Sequence, residues 1–345
     1  MIERLKNFLS VVYVLMVARN KEFYRDRSGM MWALFFPFLM VGAIGFAFSG
    51  GDQTIFTLGY YAPAQATVES LPLPGEKFIE QVHYTDLDTA LQRVRSFQLD
   101  VLLSTDNPGV YWVNEDSPSS MALEQILVAK PGWSGMQRQP LTGREIRYVD
   151  WVIPGVLGMN LMFGSVFGIG YVIVRYRKNG VLKRMQATPV TPLQFLTSQV
   201  LSRMMVMVVI CIILYAGCNL MIDFIMVGSY LDLIVVALLA IFSMITLALI
   251  VATRTTSEEL AGGLLNLITF PMLLLSEVWF SLDNAPAWLK SFSQCLPLTH
   301  AVQAAREIML NGTPLSELTY HVWTLVVMSI VFLVLGSLMF RWNEP

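Results

Sequence analysis

The residues best placed to do chemistry lie in one basic stretch, Arg175 to Pro192, with the sequence RYRKNGVLKRMQATPVTP. The chemistry they offer is recognition rather than bond-making. Five of the chain's 23 Lys and Arg stand here (Arg175, Arg177, Lys178, Lys183 and Arg184), between two long apolar segments. Short loops this basic resist translocation, so the stretch is expected on the cytoplasmic side of a membrane. Val181, Leu182 and Met185 share one face of a short helix, with Lys183, Arg184 and Gln186 on the other. Gly180 precedes that helix, and Pro189 and Pro192 stop it. So short an amphipathic helix is not stable alone. Spacing leaves two readings open: an element that docks on a partner, or one that lies on the anionic lipid surface.

Other constellations are missing. The chain has no G-x-x-x-x-G-K-[ST] phosphate loop, no H-E-x-x-H and no G-x-S-x-G. Cys211 and Cys218 sit on one apolar helix, too far apart along its axis to bridge, and Cys295 is alone. His83 has no metal-ligand company, so no metal site is expected. Mid-span Asp, Glu, Lys and Arg, which ion-coupled carriers use, are scarce. A net charge of −2 excludes a strongly basic nucleic-acid binder. The chain is 55% hydrophobic and only 14% charged, against about a quarter charged in soluble proteins. Its solvent is therefore mostly lipid.

The elements that must position the basic stretch follow from the apolar runs. They predict an α-helical polytopic membrane protein with six transmembrane helices, an N-terminal interfacial helix and a small α/β extracytoplasmic domain. Residues 1–29 hold the interfacial helix, with Leu5, Phe8, Leu9, Val12, Tyr13 and Met16 at helical spacing, and a charged segment, ARNKEFYRDRSG. That segment reads as a solvated turn or as a contact with a cytoplasmic partner. Span 1 occupies 30–48 around Pro37, and the six Lys and Arg before it place the N-terminus inside. No cleavable signal peptide is expected, because the charged stretch is too long for an n-region.

Residues 50–150 alternate strand-like runs (Thr54–Ala62, Asp100–Ser104, Val110–Val113) with helix-like ones (Glu76–Gln81, Leu87–Phe97, Ser119–Lys130). Span 2, 151–174, carries Gly155, Gly158, Gly164, Ser165, Gly168 and Gly170, which permit close helix approach. Its one amide, Asn160, reads as a packing hydrogen bond or as a residue on a substrate path. A cytoplasmic loop, 175–200, leads to spans 3–5 in 201–280, with the third span drawn from about Met204 to Ile222. Span 5 is interrupted by Gly262, Gly263, Asn266 and Pro271 and ended by Glu277. Residues 281–320 form extracytoplasmic re-entrant helices broken at Pro297. Span 6, 321–341, returns the C-terminus inside. The expected location is the plasma membrane (a bacterial inner membrane), multi-pass, with both termini cytoplasmic.

Four motifs in this order carry a resemblance. Lys21-Glu22 and Arg25-Asp26-Arg27 precede span 1, and Tyr148 to Gly155 (YVDWVIPG) leads into span 2. Gly180 to Pro189 (GVLKRMQATP) is followed by a run from Asn266 through Pro271 and Ser276. Then come Pro286, Trp288, Leu296-Pro297-Leu298-Thr299, Ala305-Arg306 and Gly312. Together they resemble the membrane subunit (permease) of type-2 ABC exporters, in the branch with a large outer domain between spans 1 and 2. GVLKRMQATP is similar to that family's coupling-helix signature, G-[TV]-L-[EK]-R-L-x-x-T-P.

The resemblance implies a permease that exports a drug, lipid, glycolipid or ion when coupled to separate ABC ATPase subunits. It would be no enzyme itself and bind no cofactor, with ATP and Mg held by the ATPases, and it would pair with an identical or homologous second permease. Coupling would fall to Gly180, Val181, Leu182, Lys183, Arg184, Met185, Thr188 and Pro189, with Lys21, Glu22, Arg25 and Asp26. The face of Val181, Leu182 and Met185 would enter an ATPase groove, and Lys183 and Arg184 would meet carboxylates at its rim. Asn160, Phe163, Asn266, Pro271, Ser276 and Glu277 would lie along the translocation path.

Two positions depart from the pattern. Tyr176 and Lys178 stand where acids commonly make salt links to inner helices, and Glu277 stands where Gly is usual. Three other functions remain in view: a complex that passes force or signal to the outer domain, an ATP-independent carrier, and a membrane enzyme.

Overall fold

Long apolar runs become long helices, and the one stretch of alternating character becomes a sheet. The computed structural model describes residues 2–47, 56–61, 79–104, 109–129, 133, 135–255, 257–282 and 285–339. The chain packs as two units, Phe48–Tyr148 and the combination of Met1–Ala47 with Val149–Pro345. Expected boundaries at Thr54, Ala62, Glu76, Lys130 and Phe340 lie outside the described residues.

The helical unit begins with α1 (Ile2–Arg25) and α2 (Arg27–Ala47). The charged segment expected as a turn is helical as far as Arg25. It contains no Gly or Pro before Gly29, and an Arg19–Glu22 ion pair at 2.9 Å braces it one turn apart. Asp26 ends α1 and its Oδ1 accepts the Gly29 amide at 3.0 Å, opening α2.

After the inserted unit, with α3 (Leu87–Arg95) and α4 (Pro118–Val128), the chain enters α5 (Tyr148–Lys178), α6 (Val181–Gln186) and α7 (Pro192–Ile222). Then follow α8 (Tyr230–Arg254), α9 (Glu258–Leu275), α10 (Ala287–Ser293), α11 (Pro297–Arg306) and α12 (Thr319–Met339). Among the described residues α5, α7, α8, α9 and α12 are long and apolar enough to cross a membrane, while α2 contributes a shorter apolar stretch, Gly29–Ala43. The protein is thus mostly helical and multi-pass.

α7 starts well before the expected third span, so most of the second half of the 175–200 loop is helix. Thr191 explains the early start. Its hydroxyl accepts the Gln194 amide at 3.3 Å while Gln194 Oε1 accepts the Thr191 amide at 2.8 Å, and Pro192 takes the first helical position.

The glycines of α5 are where other elements come closest. A Cβ on Gly155 would meet the Val278 backbone, one on Gly158 the side chains of Val302 and Leu298, and one on Gly170 that of Leu265. α12 packs on α8, and α1 and α2 pack on α7.

In the inserted unit the strands are β1 (Phe56–Tyr61), β2 (Ile79–Tyr84), β3 (Val101–Ser104), β4 (Val110–Asn114) and β5 (Gln137–Leu141), in the order β2-β1-β3-β4-β5. Only the β3–β4 pairing is antiparallel. β3 is buried on both faces: Val101 and Leu103 meet Leu123 and Leu127 of α4, and Leu102 joins Ala90 and Val94 of α3.

Two expectations change here. Residues 79–81, part of the helix expected over Glu76–Gln81, lie in β2, because parallel pairing with β1 outweighs local helix preference. β5 was not anticipated; its residues are mostly exposed and it holds Pro140, as an edge strand tolerates.

Candidate functional site

The basic stretch folds as a helix–turn–helix. Gly180 adopts φ +68°, the left-handed conformation glycine takes without strain, and turns the chain from α5 into α6. The Arg184 amide bonds the Gly180 carbonyl at 3.1 Å, and Thr188 closes α6 with its amide and hydroxyl on the Met185 carbonyl at 2.9 and 2.6 Å. Lys183, Arg184, Gln186, Ala187, Thr188 and Pro189 are exposed, and Val181 and Met185 are half-buried.

Leu182 corrects the expected docking face. It is 1% exposed, already packed inside its own chain, and has no surface left for a groove elsewhere. Without it, α6 presents a basic and polar face.

Just before α6 in the chain, a polar layer joins four helices. Tyr176 donates its hydroxyl to Glu22, which also holds Arg19. Buried Arg177 donates to the carbonyls of Ala252 (3.0 Å), Thr253 (3.0 Å) and Thr255 (2.5 Å), capping the end of α8. Lys178 Nζ lies 3.4 Å from Glu258 in the first turn of α9. The links that the Tyr176 and Lys178 departures put in question are therefore made, with the acids supplied by α1 and α9. Of the residues expected in coupling, Glu22 and Asp26 tie elements of this chain together, while Lys21 and Arg25 stay exposed.

A cavity of about 950 Å³ lies among α1, α2, α5 and α7. It includes Asn160 and Phe163 but not Asn266, Pro271, Ser276 or Glu277. Arg203, which sequence reading missed, also lines it. Arg203 lies within α7, one residue before the point from which the third span was drawn. Its Nε donates to the Gly164 carbonyl at 2.6 Å, Nη2 joins the same oxygen, and the guanidinium faces the Phe23 ring at 5.6 Å. Gly168 makes room for it, since a Cβ there would overlap the guanidinium. Mid-span charge is thus not absent, but an arginine does not release its proton and cannot relay one.

The remaining path candidates separate. Asn266 is exposed on α9. Ser276 is buried and accepts the Thr299 hydroxyl at 3.0 Å. Glu277 has φ +54°, a left-handed backbone conformation that favours glycine. Its carboxylate lies 3.4 Å from Arg306 Nη1 and 3.3 Å from Gln303 Nε2, and Arg306 Nη2 donates to its carbonyl at 2.8 Å. Arg306 also stacks 3.8 Å from the centre of the Trp151 ring. Glu277 is therefore a clasp between α9 and α11, not a cavity residue.

Nearby, His300 Nε2 bonds the Gln294 carbonyl at 2.8 Å and Nδ1 lies 3.1 Å from His321 Nδ1. Burial pushes the His300 imidazole below its ordinary value, against the pull of that carbonyl. Among the described residues no three His, Cys, Asp or Glu side chains converge on a metal position.

Several known proteins are similar to this chain in sequence. The ABC transporter G family member 20 of Dictyostelium discoideum is 27% identical over 194 residues, covering 54% of this chain and 26% of its own length. The nodulation protein J of Rhizobium meliloti (strain 1021) is 31% identical over 96 residues, covering 28% and 36%. The probable multidrug ABC transporter permease YbhR of Escherichia coli (strain K12) is 20% identical over 189 residues, covering 54% and 50%. The chain spans half or less of the length of these relatives. The sequence profile described as "ABC-2 type transporter" matches residues 109–310, more than half of the 345 present, and the chain belongs to that family.

Proposed function

We propose that the chain is the permease subunit of an ATP-driven exporter, with separate ATPase subunits docking on α6 from the cytoplasmic side. One observation carries the reading: a largely exposed basic turn, Lys183 to Pro189, follows within a few residues the polar layer that ties α5 to α1, α8 and α9. A push on α6 would reach all four helices together. Two permeases, identical or homologous, would pair, and ATP and Mg would stay with the ATPases. Membership in the ABC-2 family and relatives named as ABC transporter permeases support this assembly. The inserted α/β unit would face the extracytoplasmic side.

The test is co-purification of the associated ATPase with a Lys183→Glu/Arg184→Glu chain. ATPase recovery and ATP-dependent transport should both fall at unchanged membrane yield. Full recovery of the ATPase would refute docking at α6.

A further inference from the structure

We propose that the cavity among α1, α2, α5 and α7 binds one anionic phospholipid drawn from the bilayer, its phosphate on Arg203 and Arg175 and its chains on the aromatic walls. At about 950 Å³ the cavity reaches the upper end of small-ligand sites, which run to roughly 1,000 Å³.

Charge sets the sign of the ligand. Arg19, Arg25, Arg175 and Arg203 line the cavity against Glu22 and Asp26. Both carboxylates are engaged within the chain, Glu22 by Arg19 and Tyr176 and Asp26 by the Gly29 amide. Among the described residues Arg25, Arg175 and Arg203 have no carboxylate partner. A guanidinium inside a membrane helix, held only by a carbonyl and a ring face, is costly until an anion joins it. A phosphate oxygen reaching Arg203 Nη1 would supply that anion.

The walls select the rest of the ligand. On α5, Phe163 stacks on Phe167 at 5.8 Å and Phe167 on Tyr171 at 5.6 Å, and on α2, Trp32 stacks on Phe36 at 5.4 Å. Trp32 is 67% exposed, so the α2 edge of the cavity faces the surroundings. α2 packs on α1 and α7, and its Trp32, Ala33 and Phe36 line the cavity together with α5. A lipid reaches this exposed α2 edge with its chains still in the bilayer, which a soluble anion cannot exploit. The proposal rests on the permease reading only for the membrane placement of α5 and α7, and it requires no ATPase.

The test is native mass spectrometry of the full chain in neutral detergent, titrated with phosphatidylglycerol or phosphatidylcholine. One phosphatidylglycerol should be held in preference to phosphatidylcholine. Arg203→Gln and Arg175→Gln should each weaken it about tenfold or more, as loss of a charged hydrogen bond does. Ala33→Trp, which fills part of the cavity and removes no cation, should weaken it too. Arg175 is exposed and unpaired among the described residues, so its variant decides the matter if Arg203→Gln fails to insert.

Equal binding of the two lipids, or undiminished phosphatidylglycerol binding in Arg175→Gln, would overturn the site. Displacement by equimolar inorganic phosphate would make it a free-anion site and overturn the lipid. Loss of ATPase docking with lipid binding intact, or the reverse, separates this proposal from the permease reading.

Discussion

Glu277 shows how one side chain can occupy a position built for glycine. Its left-handed backbone costs about 1 kcal/mol for a residue with a Cβ, and the contacts to Arg306 and Gln303 offset part of that. Glu277→Gly removes the strain and a long, partly exposed ion pair together. The thermal stability of the purified protein should therefore change by no more than about 1 kcal/mol, and transport should be unchanged. Arg306→Met should cost about 2 kcal/mol or more, because it leaves the Glu277 and Trp151 carbonyls without their donor. Thermal unfolding of the two variants side by side decides the order. Glu277 could be recognised from sequence as unusual, but its φ and its partner 29 residues away could not.

At the scale of elements, α6 was legible because its signals are local. Gly180, the apolar triplet and the prolines all lie within a few turns. What sequence could not supply was the partner of the apolar face, and Leu182 turned out to face its own chain. Leu182→Ala should consequently lose about 2–5 kcal/mol and folded yield, unlike the charge reversals at Lys183 and Arg184; size-exclusion yield separates these effects. Arg203 borders the apolar run that marks the third span and so is not distinguished by hydropathy, whereas the capping box at Thr191–Gln194 marks the start of a longer helix that includes it. β5 has no apolar alternation to betray it.

The joint of α11 and α12 gives a pH prediction. The depressed His300 value means that the fold favours the neutral ring. Its contribution is whole above the ordinary histidine value of about 6.5 and is lost as pH falls through that value. Melting temperature should drop on acidification, and His300→Gln should flatten the slope.

For the whole molecule, order along the chain was readable and packing was not. Apolar run lengths and the break in character near Gly50 and Asp150 foreshadowed a multi-pass helical unit interrupted by an α/β one. The polar layer just before α6 joins Glu22, Tyr176, Arg177, Lys178 and Glu258, residues up to 236 positions apart (258 − 22). No local pattern can announce such a meeting.

The central claim is that α6 is an inward-facing surface on which an ATPase settles. A single cysteine at Lys183, in a chain otherwise free of cysteine, reports on it directly when treated with a membrane-impermeant maleimide. The reagent should label inside-out vesicles and spare right-side-out ones, and bound ATPase subunits should protect the site. Labelling from the outside, or equal labelling with and without the ATPase, would contradict the account.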